Sequence, residues 1–233
     1  MKKYLILAAL SFPVLLSAQT VNNVTDPVIN NQFGYLTQIP VKPANVIGSV
    51  YLNEDWKETT VKLKKETHGV FQLVAVKMKL DLKSNMMEFQ TDKGIKMIGG
   101  ANVESFFWKK DLPSEVETYL NCDKFSFGDT KLLGFALVIS TGKKIALVQH
   151  KYLEFVTADY NVALDVGSKD QKYLKKDKFY LLKNNQLISA NNKSVTKAMA
   201  DKKQLVSQFK RDQKLNLKDQ RDLASLISYY NSL

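Results

Sequence analysis

Apolar and polar residues alternate with a period of two over much of the chain between residues 46 and 190. The clearest run, residues 70–82, places five apolar side chains on one face of a strand: Val74, Val76, Met78, Leu80 and Leu82. Lys77, Lys79 and Asp81 take the other face. Because successive side chains of a strand point to opposite sides of a sheet, this pattern predicts a half-buried strand. Residues 59–64 repeat the pattern one strand earlier.

Turn residues separate these runs and predict two hairpins. Asp92-Lys93-Gly94 lies between runs at 85–90 and 95–98, and glycine allows the positive φ of a tight turn. A polar stretch at 141–144 separates 132–140 from 145–149 in the same way. Further strands are predicted at 46–52, 103–108, 152–156, 179–182 and 187–188, the last two joined by Asn184-Asn185. Ser114 and Glu117 have capping-box spacing, but residues 118–122 fit a single helical turn and an extended stretch equally.

The period changes to three or four residues near Ser194 and predicts two helices at the end of the chain. Asn216 is the predicted N-cap of the second helix. Their apolar stripes are interpreted as surfaces that dock on the sheet. The predicted fold is mainly β with C-terminal α structure: eight to eleven strands in an antiparallel sheet, as a sandwich or a partly open barrel, with two C-terminal helices packed on it.

The chain is predicted to have four segments. Residues 1–18 resemble a secretory signal peptide, because Met1-Lys2-Lys3 is followed by an apolar run to Leu16 and by the small residue Ala18. That run is too short for a permanent membrane anchor, and no later segment reaches transmembrane length. Residues 19–45 contain three prolines and form a predicted N-terminal arm, partly ordered. Residues 46–190 form the β-rich domain, and residues 191–233 form the helices packed on it.

Positive charge is concentrated near the C-terminus. The net charge of +11 falls to +9 without Lys2 and Lys3, and residues 170–233 carry fourteen Lys or Arg against six Asp, a net of +8. Such an excess is typical either of a solvated lysine-rich face or of contact with an anionic partner. For an exported protein, lipid, lipopolysaccharide or another envelope protein is the expected partner, and nucleic acid is not.

The chain offers few residues for catalysis. It contains two histidines, His68 and His150, and one cysteine, Cys122, without the paired spacing of a zinc site. No Gly-x-Ser-x-Gly motif and no phosphate-binding glycine loop occurs. Six carboxylates are available, but nothing in the sequence ties two of them to one cleft: Glu54, Asp55, Asp111, Glu115, Glu117 and Glu154. We therefore predict no catalytic residue, no metal and no cofactor, with structural or surface roles for both histidines and for Cys122.

Five residues are predicted to contact a ligand. If the sheet curls around an apolar cavity, that cavity would be lined by Val74, Val76, Met78 and Leu80. Trp108 is the fifth, because a strand must turn the adjacent rings of Phe106-Phe107-Trp108 to opposite faces. An outward ring also fits a membrane-interface contact or a contact with the C-terminal helices.

Three stretches carry a resemblance to known sequences. They are Val46-Ile47-Gly48-Ser49-Val50-Tyr51-Leu52-Asn53-Glu54, Lys178-Phe179-Tyr180-Leu181, and Asp222-Leu223-Ala224-Ser225-Leu226-Ile227-Ser228-Tyr229-Tyr230-Asn231. With the signal peptide, they resemble an uncharacterised family of exported proteins from Bacteroidetes. That resemblance implies a Gram-negative cell envelope, with the periplasm favoured over the medium or the outer membrane. It carries no known chemistry, so it assigns no functional residue.

Three functions remain open at this point. The favoured one is a non-catalytic exported envelope protein that binds a partner or an apolar or anionic ligand. The second is a structural or assembly factor that uses its basic C-terminal helices to bind another envelope protein. The third is a hydrolase in which a histidine, a carboxylate and a serine or Cys122 meet in an unrecognised site.

Overall fold

The structure, a computed structural model, describes residues 46–67, 70–109, 116–159, 161, 164–168 and 170–233. The predicted signal peptide, the predicted N-terminal arm, His68, Asp111 and Glu115 lie outside these residues. The strands are β1 (Val46–Ile47), β2 (Lys57–Thr67), β3 (Val70–Asp81), β4 (Met86–Thr91), β5 (Gly94–Gly99), β6 (Val103–Lys109), β7 (Val116–Asn121), β8 (Phe135–Ser140), β9 (Ala146–Val156), β10 (Gln171–Lys183) and β11 (Gln186–Ser189). The α-helices are α1 (Asn192–Ala198), α2 (Lys203–Asp212) and α3 (Gln220–Ser232).

The eleven strands form one open sheet with the order β1-β10-β9-β8-β7-β6-β2-β3-β4-β5, and β11 pairs with β10. All neighbours are antiparallel except β1, which runs parallel to the start of β10. The sheet is therefore mixed, where the sequence predicted an antiparallel one. The predicted class, a mainly β fold with C-terminal helices packed on a sheet, is confirmed.

One short segment curls the sheet by joining two strands that are distant in the strand order. Val46 and Ile47 pair with the start of β10, whereas the carbonyl of Val50 accepts a hydrogen bond from the Leu82 N–H at 2.9 Å. Leu52 N–H donates to the Leu80 carbonyl at 2.8 Å. Residues 46–52 thus hold the start of β10 near the end of β3. The curled sheet has an inner face that carries most of the core.

Local turn chemistry explains the hairpins that the sequence predicted. Gly94 has a φ of +101° in the β4–β5 turn, and Asn184 and Asn185 have φ values of +49° and +62° between β10 and β11. Asparagine tolerates this left-handed region better than most residues, so both turns suit their sequences. Residues 116–121, for which a helical turn and an extended stretch were both open, form β7.

A bulge in β3 changes the predicted face of one residue. Thr59 pairs with Val76 and Val61 with Leu73, so a step of two residues along β2 matches a step of three along β3. Ala75, in the extra position, has a φ of +52°. The bulge shifts the alternation by one residue, so Leu73 rather than Val74 shares the inner face with Val76. The prediction that Val74 lies on the face of Val76 is wrong, and its side chain is 65% exposed.

The C-terminal helices cover the inner face at its β8–β10 end. Three buried residues of the sheet region, Ile145, Leu147 and Leu181, belong to one apolar cluster with the helices. The helical members of that cluster are Val195, Ala198, Met199, Val206, Leu223, Leu226, Ile227 and Tyr230. The predicted docking stripes are therefore buried against the sheet. Among the described helices, none is long and apolar enough to cross a membrane.

The helical region contains three α-helices where the sequence predicted two. A turn of 3₁₀ helix at Ala200–Lys202 separates α1 from α2, although the apolar spacing continues across it. The N-cap of α3 is Asp219, whose side chain accepts hydrogen bonds from the N–H groups of Arg221 and Asp222. The predicted N-cap, Asn216, lies three residues earlier in the preceding turn, where its side chain accepts from the Lys218 N–H.

The loop after β7 covers the opposite face of the same strands. Cys122 and Phe125 pack there on Ala136, Val148 and Tyr180 of the sheet. Because one face receives helices and the other receives this loop, β8, the first half of β9 and the C-terminal half of β10 are covered on both sides. This explains the nearly continuous apolar run at 132–139 that the sequence shows.

Asn231 ties the last turn of α3 to the connection between β8 and β9. Its Oδ1 accepts hydrogen bonds from the backbone N–H groups of Lys144 and Ile145 at 3.0 and 3.1 Å. Its Nδ2 donates to the Ile145 carbonyl at 2.8 Å. A Cβ atom at Gly142 would overlap the Asn231 amide, so this position requires glycine. One side chain therefore satisfies three backbone groups of the turn.

Tyr230, next to that asparagine, anchors the same helix to the α1–α2 connection. Its buried ring is approached by Lys144, whose Nζ lies 5.2 Å from the ring centroid, and its hydroxyl donates to Asp201 at 2.9 Å. Burial and this hydrogen bond raise the pKa of Tyr230 to about 12. The ending Tyr230-Asn231 is thus a packing and hydrogen-bonding anchor.

Asn231→Ala is expected to lower the free energy of unfolding by about 2–4 kcal/mol, because three backbone groups lose their partner. Gly142→Ala is expected to destabilise the protein by displacing the same amide. The double variant should lower the free energy of unfolding by less than the sum of the two single variants, since no amide remains at position 231 to be displaced. Urea unfolding measures all three, with Ser232→Ala as a nearly neutral control. Strict additivity would contradict the assignment.

Candidate functional site

The predicted ligand contacts do not form one cavity. Met78, Leu80 and Trp108 are buried in the core, and Val74 lies on the other side of β3 from Val76. Val76 does line an apolar pocket of about 90 Å³, with Leu63, Leu73, Phe89, Thr91, Lys96 and Ile98. Pockets for small molecules usually have about 300–1,000 Å³, so this space is too small for a lipid chain.

Glu117, one of the six carboxylates considered from the sequence, is fixed beside Trp108. Glu117 accepts hydrogen bonds from Trp108 Nε1 at 2.8 Å and from the Tyr119 hydroxyl at 3.1 Å. Tyr119 in turn stacks on Phe106 with a centroid distance of 4.6 Å. Trp108 therefore turns inward, and Phe107 is the outward ring of the three adjacent aromatic residues. This cluster holds the aromatic core of β6 and β7 together.

His150 is a buried structural residue of β9. Its Nε2 lies 2.8 Å from the Leu133 carbonyl, and its ring stacks on Tyr152 at a centroid distance of 6.1 Å. Burial lowers the pKa of His150, opposed by the hydrogen bond to Leu133. This hydrogen bond ties Nε2 to the backbone and supports a structural role for His150.

Cys122 is also placed for packing. Its side chain is fully buried under the loop after β7, and burial raises the pKa of its thiol to about 12. A nucleophilic cysteine needs the opposite shift, toward the thiolate. Within the described part of the chain, no group of three His, Cys, Asp or Glu residues is placed to hold a metal ion.

The feature that sequence reasoning missed is an unpaired stretch at the edge of β10. One side of this strand pairs with β9 along most of its length, whereas the other side pairs only at its two ends. There β1 reaches Lys172, and β11 reaches Tyr180. Among the described residues, none pairs with residues 174–178 on that side. A strand edge of this kind carries unsatisfied N–H and C=O groups.

A cleft of about 600 Å³ adjoins this edge. It is lined by residues 177–179 of β10, by residues 189–192 after β10 has turned back through β11, and by residues 217–218 before α3. Three residues of the apolar cluster under the helices supply its apolar surface: Phe179, Ala190 and Leu217. Asn191, Asn192, Lys178 and Lys218 supply polar and positive groups.

Lysines dominate the charge along the same edge. Between residues 172 and 178 the strand carries four lysines and one carboxylate, Asp177, which pairs with Lys151 of β9 at 2.9 Å. The lysines are Lys172, Lys175, Lys176 and Lys178. Lys176 lies 3.4 Å from Glu154, and Lys175 lies 3.9 Å from Glu54. Exposed ion pairs of this kind contribute only about 0–1 kcal/mol, so both lysines can exchange these partners for others at little cost.

No protein-family model, curated protein or solved structure matches the chain. The candidate site therefore rests on the geometry of the molecule.

The thiol of Cys122 is expected to be unreactive in the folded protein. With a pKa of about 12, roughly one thiol in 10,000 is ionised at pH 8. Ellman's reagent at pH 8 should therefore show no rapid reaction until urea unfolds the chain, and then one thiol per molecule. Rapid stoichiometric reaction of the native protein would contradict the buried placement.

The lowered pKa of His150 predicts a loss of stability on mild acidification. As pH falls through about 6.5, the unfolded chain takes up a proton that the native His150 resists, so the free energy of unfolding declines. His150→Gln removes this titration, and its stability should change less between pH 7 and pH 5. Urea unfolding across this range compares the two slopes. Equal slopes would show that His150 does not resist protonation.

Proposed function

We propose that this protein is a non-catalytic binding protein of the cell envelope that holds an extended acidic segment of a partner protein in the cleft beside β10. The observation that carries the proposal is the cleft itself, about 600 Å³ in volume, lysine-lined and adjacent to an unpaired strand edge. The signal-peptide pattern of residues 1–18 supports the envelope setting.

The composition of the cleft favours a peptide over a lipid. Its apolar surface is divided among Phe179, Ala190 and Leu217, and the remaining lining is asparagine, serine, lysine and aspartate. An acyl chain needs a continuous apolar channel, whereas a peptide supplies polar backbone groups together with alternating side chains. The two asparagine side chains and the free strand edge suit that backbone.

The charge of the cleft favours an acidic segment. Lys178 lies in the cleft wall formed by β10, and Lys218 lies in the wall formed by the turn before α3. The Lys178 Nζ lies 5.6 Å from the Tyr180 ring centroid, on the other face of β10 from the helices. Carboxylates on either face of the edge would therefore be attracted, which also speeds association at low ionic strength. Part of the excess positive charge of residues 170–233 would thus serve to bind the acidic segment in this site.

The assembly-factor alternative gains less support from the structure. It requires an apolar helical stripe that the protein's own sheet leaves uncovered, and the buried positions of α2 and α3 include Val206, Leu223, Leu226 and Ile227. The hydrolase alternative requires His150 to meet a carboxylate and a nucleophile, and its ring nitrogen instead meets the Leu133 carbonyl.

The test uses a fluorescein-labelled heptapeptide that alternates Glu and Val, and measures its fluorescence anisotropy with the full chain. The probe is expected to bind to the full chain. The double variant Lys178→Ala with Lys218→Ala should lower the affinity for the probe at least tenfold. A Lys-Val heptapeptide should not bind. Raising the salt concentration should weaken binding of the acidic probe, because exposed charges are screened over about 10 Å at 0.1 M.

The matched control removes the same charge from elsewhere. Lys93→Ala with Lys131→Ala changes two exposed lysines of other turns and should leave the affinity within twofold. Equal weakening by both double variants, or no binding of the acidic probe at all, would overturn the proposed function.

A further inference from the structure

We infer that the partner segment binds as an added β-strand along residues 174–178 of β10, with its acidic and apolar residues alternating. This inference rests on the proposed function and specifies how the same site recognises its partner. Strand addition to an exposed edge takes affinity from main-chain hydrogen bonds and specificity from alternate side chains.

The two ends of the free stretch are fixed by the chain itself. At one end, a Cβ atom at Gly48 would lie 2.5 Å from the Tyr173 carbonyl oxygen, so the segment after β1 passes directly against Tyr173. At the other end, the Ala190 N–H donates to the Phe179 carbonyl at 2.9 Å. Five residues lie between these contacts. At about 3.3 Å per residue the open length is roughly 17 Å, the length of a short strand.

The direction of the backbone groups follows from those contacts. In a strand, the N–H and C=O of one residue point to the same side, and neighbouring residues alternate. Because the Phe179 carbonyl points toward β11, Asp177 and Lys175 also present their backbone groups on that side. The partner would therefore bind to the N–H and C=O groups of these two residues, with β1 and β11 as its neighbours along the edge.

The side chains beside this edge predict the partner's pattern. On the inner face the stretch itself carries Lys175 and Asp177, and the apolar surface of Phe179 and Leu217 begins at its C-terminal end. Lys176 and Lys178 lie on the opposite face of β10, so the next partner residue meets two positive charges. Acidic residues of the partner suit the face of Lys176 and Lys178, and an apolar residue suits the other face where the strand reaches Phe179 and Leu217.

The same lysines disfavour a second copy of this chain as the occupant. Pairing β10 with β10 of another molecule would bring the four lysines of each strand together. Like charges opposed across a strand pair are destabilising, and lysine at a free edge is a common protection against self-association. The lysines therefore disfavour pairing of this edge with the same edge of a second copy, whereas a segment that carries carboxylates can still bind.

The decisive experiment uses two N-methylated forms of the Glu-Val heptapeptide. One carries methyl groups on the glutamate nitrogens and the other on the valine nitrogens. In strand addition only one of these sets faces β10, so one form should lose at least tenfold in affinity while the other stays within threefold of the parent. Equal tolerance or equal loss of the two forms would overturn strand addition.

Failure of this inference and failure of the proposed function give different results. The unmethylated probe could bind and respond to the Lys178 and Lys218 substitutions while the two methylated forms behave alike. In that case the proposed binding of an acidic segment in the cleft is supported, and strand addition is overturned. If the unmethylated probe does not bind, the proposed function falls first.

A crosslinking experiment identifies the occupant directly. The photoreactive residue p-benzoylphenylalanine in place of Lys176, in the full chain, is expected to crosslink to the acidic probe. The same substitution at Lys131 should not. Mass spectrometry locates the crosslinked site. A crosslink to a second copy, or to residues 1–45 of the same chain, in the presence of saturating probe would overturn the partner-strand assignment.

Discussion

The hydrogen bonds of the Asn231 amide fix the position of the helical layer on the sheet. They join the last turn of α3 to backbone groups of the β8–β9 connection, where no side chain larger than hydrogen fits at Gly142. With that end of α3 held, the turn before α3 places Leu217 and Lys218 over Phe179. One wall of the cleft therefore depends on the contact between the last turn of α3 and the β8–β9 connection.

Local patterns predicted most of the strands and hairpins, because alternation and turn residues act within a few positions. Gly94 and the pair Asn184-Asn185 illustrate this, since each supplies the left-handed conformation that its turn requires. The bulge at Ala75 escaped prediction, because an apolar alanine in a strand pattern gives no local signal of a left-handed φ. One inserted residue then moved Val74 away from the side chains with which its spacing grouped it.

The candidate site could not be predicted in the same way, because an open edge is a property of the strand order. Residues 174–178 have no local feature that marks them as unpaired. Their exposure results from how far β1 and β11 reach along β10. The lysine-rich composition was visible, but the same pattern fits any solvated strand. Only the topology distinguishes a strand that is polar and covered from one that is polar and open.

The segment at residues 46–52 also has a consequence for the order of folding. Val46 pairs with Gln171, more than 120 positions further along the chain, while Val50 and Leu52 bond to the end of β3. Contacts of such long sequence separation form slowly, since a large loop must close first. We expect the curled sheet to be completed late, after β10 has been synthesised. The chain is therefore expected to remain incompletely folded until residues 46–52 join these two distant strands.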